Sequence, residues 1–315
     1  MGHLDHATFG WLTPVLSYAM ACIGAALGLR CTVRALDATG RSRRNWLLTA
    51  ASAIGTGIWT MHFVAMLGFG VTGTDIRYNV PLTILSLLIA MAVVGVGVFA
   101  VGYGRDRGRA LLIGGLTTGV GVASMHYMGM AALRLHGEVT YDPVLVALSV
   151  AIAVVAATAA LWAALNIHKP AAVALASLVM GAAVSSMHYT GMLAVEVRVA
   201  PSTAGLPGAT AMQFIFPLAV GLGSYLFITS AFVALSPTAK ERAAYASAEQ
   251  LTEPDERAVD VAPPGFRAQG GRPPVTEEPE RAPAGTSYGG LAGAPPSYAY
   301  PAGPVHPVDR GSAGP

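Results

Sequence analysis

Long apolar runs separated by short polar stretches organise the first three quarters of this chain. Seven runs, near residues 11–33, 46–70, 80–103, 110–133, 142–165, 171–195 and 211–235, are long enough to cross a hydrocarbon core, which takes about 20 apolar residues as a helix. The pattern predicts an all-α integral membrane protein with seven transmembrane helices. An odd number of crossings puts the two ends on opposite sides.

The polar stretches between the runs set the orientation. Arg30, Arg34, Arg41, Arg43 and Arg44 border the first loop, Arg105, Arg107 and Arg109 fill the third, Lys169 lies in the fifth, and Lys240 and Arg242 follow the last run. The second, fourth and sixth loops hold one cation each: Arg77, Arg134 and Arg198. By the positive-inside rule the N-terminus lies outside and the C-terminus in the cytoplasm, as in a multi-pass plasma-membrane protein. Residues 1–10 form a short external segment without Lys or Arg, so no cleaved signal is expected. Residues 11–235 are the membrane domain. Residues 236–315 turn to Pro, Gly, Ala and charge and are expected to be a disordered cytoplasmic tail without a catalytic domain; "APPSYAYP" within it is an alternative partner-docking segment.

The runs also repeat. "FGWLTPVLS" from Phe9, "YNVPLTILS" from Tyr78 and "YDPVLVALS" from Tyr141 each open a plain apolar helix, with a serine eight residues after the aromatic. The helix that follows each carries a Met-His motif: "MHFVAM" at Met61, "MHYMGM" at Met125 and "MHYTGM" at Met187. His62, His126 and His188 are 64 and 62 residues apart, so the first six spans are three copies of a two-helix unit and the seventh is an addition. Alternate spans run in the same direction, placing the three motifs at one depth, about seven residues or roughly 10 Å from the outer end. Each His and the Met four residues later share a helix stripe, while Gly129, Gly191 and Ala65 leave room for a close helix or ligand.

Composition adds exclusions. At 53% hydrophobic and 11% charged residues, the chain is far from the roughly 25% charge of a soluble domain. A formal charge of +2 with no basic, aromatic patch argues against nucleic acid. Cys22 and Cys31 lie on one predicted helix, about 13 Å apart at the helical rise, too far for a disulfide, and are expected to be small buried hydrophobes.

The motif histidines are the clear titratable groups within the runs, and buried polar groups at membrane depth default to function. The absence of buried carboxylates argues against a proton pump or cation antiporter. Thioether plus imidazole is a soft donor set, which makes copper the first metal to test; a haem held by His and His or His and Met is the alternative cofactor. His3 and His6, with Asp5, are expected to be flexible terminal residues, or else an extension of a metal path. His136 and His168 are expected to be solvated loop residues.

With three Met-His-Tyr-like motifs on alternate helices of a seven-span unit, residues 7 to 236 resemble the MHYT domain family. "MHYMGM" and "MHYTGM" follow its Met-His-Tyr-x-Gly-Met form; "MHFVAM" departs, with Phe63 for Tyr and Ala65 for Gly. The resemblance implies a membrane sensor domain that binds copper near the outer face and senses a diatomic gas such as O2, CO or NO. It also implies metal ligands at Met61, His62, Met66, Met125, His126, Met130, Met187, His188 and Met192. Many family members fuse this unit to cyclic-dinucleotide enzymes. Here the expectation is a sensor without catalytic activity of its own, embedded in the lipid bilayer and signalling through an unidentified cytoplasmic partner. The rival reading is copper transport, which would need ligands leading inward; the inner halves offer few beyond Met20, Met91, Met180 and Cys31.

Overall fold

The computed structural model describes residues 4–5, 10–167, 169–200, 202, 205–237 and 247. The expectations for His3, His6 and His168, and for the tail beyond residue 237 apart from Ser247, lie outside the described residues.

Seven helices form where the apolar runs predict them: α1 (Leu12–Leu36), α2 (Gly40–Leu67), α3 (Val80–Tyr103), α4 (Arg107–Ala131), α5 (Pro143–Asn166), α6 (Pro170–Leu193) and α7 (Phe216–Leu235), the last entered through a π-helical turn at Ala211–Ile215. All seven spans are long and apolar enough to cross a membrane. Their starts are written in the sequence. Asn79 accepts from the Leu82 N–H, Asp106 from Gly108 and Arg109, and Asp142 from Val144 and Leu145, satisfying helix-end donors. Proline occupies the first turn of α3, α5 and α6, where its missing N–H costs nothing. The start of α2 differs most from the reading: the arginine-rich stretch from Gly40 joins the helix instead of preceding it.

The connections at the histidine end hold six short strands that hydropathy did not reveal: β1 (Leu4–Asp5), β2 (Gly70–Val71), β3 (Arg77–Tyr78), β4 (Leu133–Arg134), β5 (Gly137–Tyr141) and β6 (Val195–Val199). They pair antiparallel as β1 with β2, β3 with β4 and β5 with β6. Each repeat is therefore a closed unit of strand, outer helix, inner helix and strand, whose own two ends pair. In the third unit the register runs from Gly137 opposite Val199 to Tyr141 opposite Val195.

The three units close into a ring. Successive helices from α1 to α6 are neighbours, α6 returns to α1, and α2, α4 and α6 also meet one another inside. The α7 helix packs outside, chiefly on α1 and α2. A glycine seven residues before each motif histidine makes the unit-to-unit contact. A Cβ on Gly55 would lie 2.7 Å from the Met91 Cα on α3; one on Gly119 would strike the Val154 backbone on α5, and one on Gly181 the Cys22 sulfur on α1. Small residues here let helix backbones touch, which is how helices associate where lipid offers no hydrophobic drive. Cys22 and Cys31 are both free thiols, with Cys31 buried. Large apolar side chains such as Leu112, Leu175, Phe227 and Phe232 point outward, as a surface solvated by hydrocarbon permits.

Candidate metal centre

The inner helices α2, α4 and α6 each carry one histidine, and all three end five residues later, at Leu67, Ala131 and Leu193. The expected seven residues shrink to five because each inner helix stops short of the end of its apolar run, where β2, β4 and β6 take up the chain. Equal depth and a closed ring bring the three imidazoles together on the bundle axis. His62 Nδ1 lies 3.0 Å from His188 Nδ1 and 3.1 Å from His126 Nδ1, and the third side of the triangle is 3.3 Å. The rings stand nearly perpendicular in each pair, with centroids 4.9, 4.9 and 5.1 Å apart. All three residues are buried, and among the described residues they are the buried ionisable side chains of the Asp, Glu, His, Lys and Arg types.

Three neutral imidazoles cannot satisfy such a triangle by hydrogen bonding. A proton on one Nδ1 can serve a neighbouring lone pair, but at least one edge is left facing lone pair to lone pair or proton to proton. A cation relieves this by taking all three lone pairs at once. At a metal–nitrogen distance of about 2.0–2.1 Å, tetrahedral angles place ligand nitrogens about 3.3–3.4 Å apart. The triangle is close to that spacing, so the donor set fits one small metal ion. His62, His126 and His188 could hold it through Nδ1.

Packing aims the rings. A Cβ on Gly129 would lie 2.5 Å from His62 Nε2, and one on Gly191 the same distance from His126 Nε2. The motif glycines therefore make room for the preceding unit's imidazole. These two Nε2 atoms are buried without a hydrogen-bond partner among the described residues, so shape and not a second hydrogen bond orients the rings. Each histidine also meets the next aromatic edge-on, at 4.6 Å for Phe63, 4.8 Å for Tyr127 and 5.0 Å for Tyr189.

The aromatic residue and the serine of each repeat belong to the same support. Ser17, Ser86 and Ser149 are fully buried. The Tyr127 hydroxyl is 2.6 Å from Ser149 Oγ, tying α4 to α5. Phe63 has no hydroxyl for the equivalent tie, and Trp59, one turn earlier on α2, donates its indole N–H to Ser86 Oγ at 2.9 Å instead.

Of the sequence candidates, the structure gathers the three Nδ1 atoms to ligand spacing. Met61, Met66, Met125, Met130, Met187 and Met192 are all buried, and Met187 lines an apolar cavity beneath the triangle. His136 is a half-buried loop residue whose backbone N–H donates to Thr74 Oγ1. Sequence reasoning missed Trp59, Gly55, Gly119 and Gly181. The glycines were detectable, since all three fall at the same offset from a motif histidine.

A family model, MHYT, described as "Bacterial signalling protein N terminal repeat", matches residues 55–115, 119–177 and 181–242. Its three matches begin at Gly55, Gly119 and Gly181, the glycines of the ring contacts. The chain is 38% identical over 195 residues to the bifunctional diguanylate cyclase/cyclic di-GMP phosphodiesterase MucR of Pseudomonas aeruginosa, covering 60% of this chain and 28% of the relative. It is 34% identical over 206 residues to the cyclic di-GMP phosphodiesterase NbdA of the same organism, covering 64% and 26%. With the signaling protein YkoW of Bacillus subtilis it shares 31% identity over 202 residues, covering 60% and 24%. The matched region spans about a quarter of the length of these relatives. No solved structure matches the chain.

Proposed function

This chain belongs to the MHYT family of bacterial signalling repeats, and on that premise we propose that it is a membrane metal-binding sensor, with copper as its metal and a diatomic gas or redox change as its signal. The observation that carries the reading is the triangle of buried Nδ1 atoms at 3.0–3.3 Å. Imidazole suits copper, and the six motif methionines, buried on the same three helices, are soft donors of the kind copper accepts. A haem fits less well, because three nitrogens converging on one point leave no slab for a macrocycle between any two of them. In this reading the chain has no catalytic activity of its own, sits in the plasma membrane with its N-terminus outside, and passes its signal to a separate cytoplasmic partner. The membership of relatives in cyclic di-GMP turnover supports that direction of output.

Bound in the triangle, copper would supply a centre able to take a fourth ligand or change oxidation state. The chain's part is to hold three imidazoles and to feel their movement. His62 is wedged against Gly129 on α4, and His126 against Gly191 on α6. A ring that turns must push the next inner helix, so a change at the centre becomes a change in the relative tilt of α2, α4 and α6. Metal analysis with absorption and electron paramagnetic resonance spectra of the detergent-purified protein tests the proposal. One copper per chain, lost on His126→Ala or His188→Ala with helix content retained, is the expected result. Copper-free protein that cannot be loaded would overturn it.

A further inference from the structure

A cavity lies between the helices beneath the histidine triangle, on the side away from the strands and toward α3 and α5. Residues four and eight positions before a histidine share its helix face. These are Ile58 and Ile54 on α2, Val122 and Thr118 on α4, and Val184 and Met180 on α6, and all six line one cavity of about 50 Å³. At the helical rise the first tier lies about 6 Å below the histidines and the second about 12 Å below. Val94 and Val98 of α3 and Ala157 of α5 complete its outer wall. The inner helices thus line it on the same threefold plan as the site above, while the outer wall comes from α3 and α5 alone.

Its chemistry selects its occupant. Thr118 is the one polar side chain of the lining, and its hydroxyl already donates to the Val93 carbonyl at 3.2 Å. A buried water needs two to four polar partners, whereas an apolar void stays dry and takes up gases or small hydrocarbons. The volume is too small for a ring compound and sufficient for a molecule of two heavy atoms. Alanines at 153, 156, 157 and 160 on α5 keep that wall thin, and gases that dissolve in hydrocarbon have the surrounding bilayer as their reservoir.

We propose that this chamber is a docking site for a single apolar gas molecule, of the size of O2, CO or xenon, held about one helical turn from the imidazole nitrogens. Its role rests on the triangle being a gas-responsive metal centre, but occupancy of the chamber needs no metal. Xenon is therefore the probe, applied to the full chain in lipid nanodiscs and read by xenon NMR. The expected result is a saturable bound-xenon signal that is lost in Val122→Phe and in Val184→Phe. Should a phenylalanine variant fail to fold, Val122→Ile and Ala157→Val shrink the chamber by less and should weaken the signal in steps. Absence of bound xenon in the unaltered chain, or a signal that survives these substitutions in folded protein, overturns the proposal. Bound xenon in a chain that takes up no metal leaves the chamber standing and removes the sensor reading; metal without xenon does the reverse.

Discussion

Trp59 donates its indole N–H to Ser86 Oγ at 2.9 Å, and in doing so occupies the place that the Tyr127 hydroxyl holds on Ser149 in the next repeat. Two different donors on adjacent turns reach equivalent buried serines. Trp59→Phe should cost about 1 kcal/mol, the net worth of a buried hydrogen bond. Ser86→Ala should cost a similar amount, and the pair together less than the sum. Thermal unfolding in detergent with a double-mutant cycle checks this; strict additivity would mean that the contact carries no energy.

Gly129→Ala and Gly191→Ala place a methyl where the His62 and His126 rings sit. Both should shift an imidazole and lower metal affinity by about 10–100-fold, the usual effect of disturbing what orients a ligand. Ala65→Gly on α2 adds space instead of removing it and should leave affinity within a few fold. Competition titration with a chromophoric chelator measures all three.

Gly55→Leu and Gly119→Leu attack the ring at its joints, where the glycine faces backbone on the next unit. Backbone cannot move aside as a side-chain tip can, so overpacking should cost about 1–3 kcal/mol or more. The expected readout is a lower unfolding temperature, with the same metal stoichiometry in whatever fraction remains folded.

Tyr78 lies just before α3 and is buried, and burial pushes its phenol above the ordinary value of 10.0. A raised folded-state pKa for a neutral acid means that the fold resists the anion. The stability is fully present below the unfolded pKa and is lost as pH rises beyond it. Alkaline unfolding should therefore set in above about pH 10 and move to higher pH in Tyr78→Phe, followed by tyrosinate absorbance alongside helix content.

The spans were legible because hydrocarbon imposes a length and a composition on any helix that crosses it. The three histidines were legible because three copies at one spacing are hard to produce by packing alone. Less visible was the means of assembly. Hydropathy averages over windows and so passes over a glycine at a fixed offset, such as Gly55, Gly119 and Gly181, and over strands as short as Gly70–Val71. Trp59 is silent in the sequence because it lies one helical turn before the motif position, held by Phe63, from which the hydrogen bond has moved back. No periodicity distinguishes Nδ1 from Nε2, so which nitrogen faces the axis emerges only from the closed ring.

The seventh helix breaks the threefold plan in an informative way. Tyr225 on α7 shares a 2.7 Å hydrogen bond with Ser52 on α2, and Arg34 on α1 donates to the Val233 carbonyl. Among the described residues, α7 thus packs chiefly on the two helices of the first unit. That unit is also the one whose motif reads Phe63 and Ala65 where its sisters have Tyr and Gly. A rotor of three equal blades has no preferred phase; fixing an axle to one of them gives it one. The helix outside the plan and the motif that departs from it fall on the same unit, so the threefold symmetry is broken twice in one place.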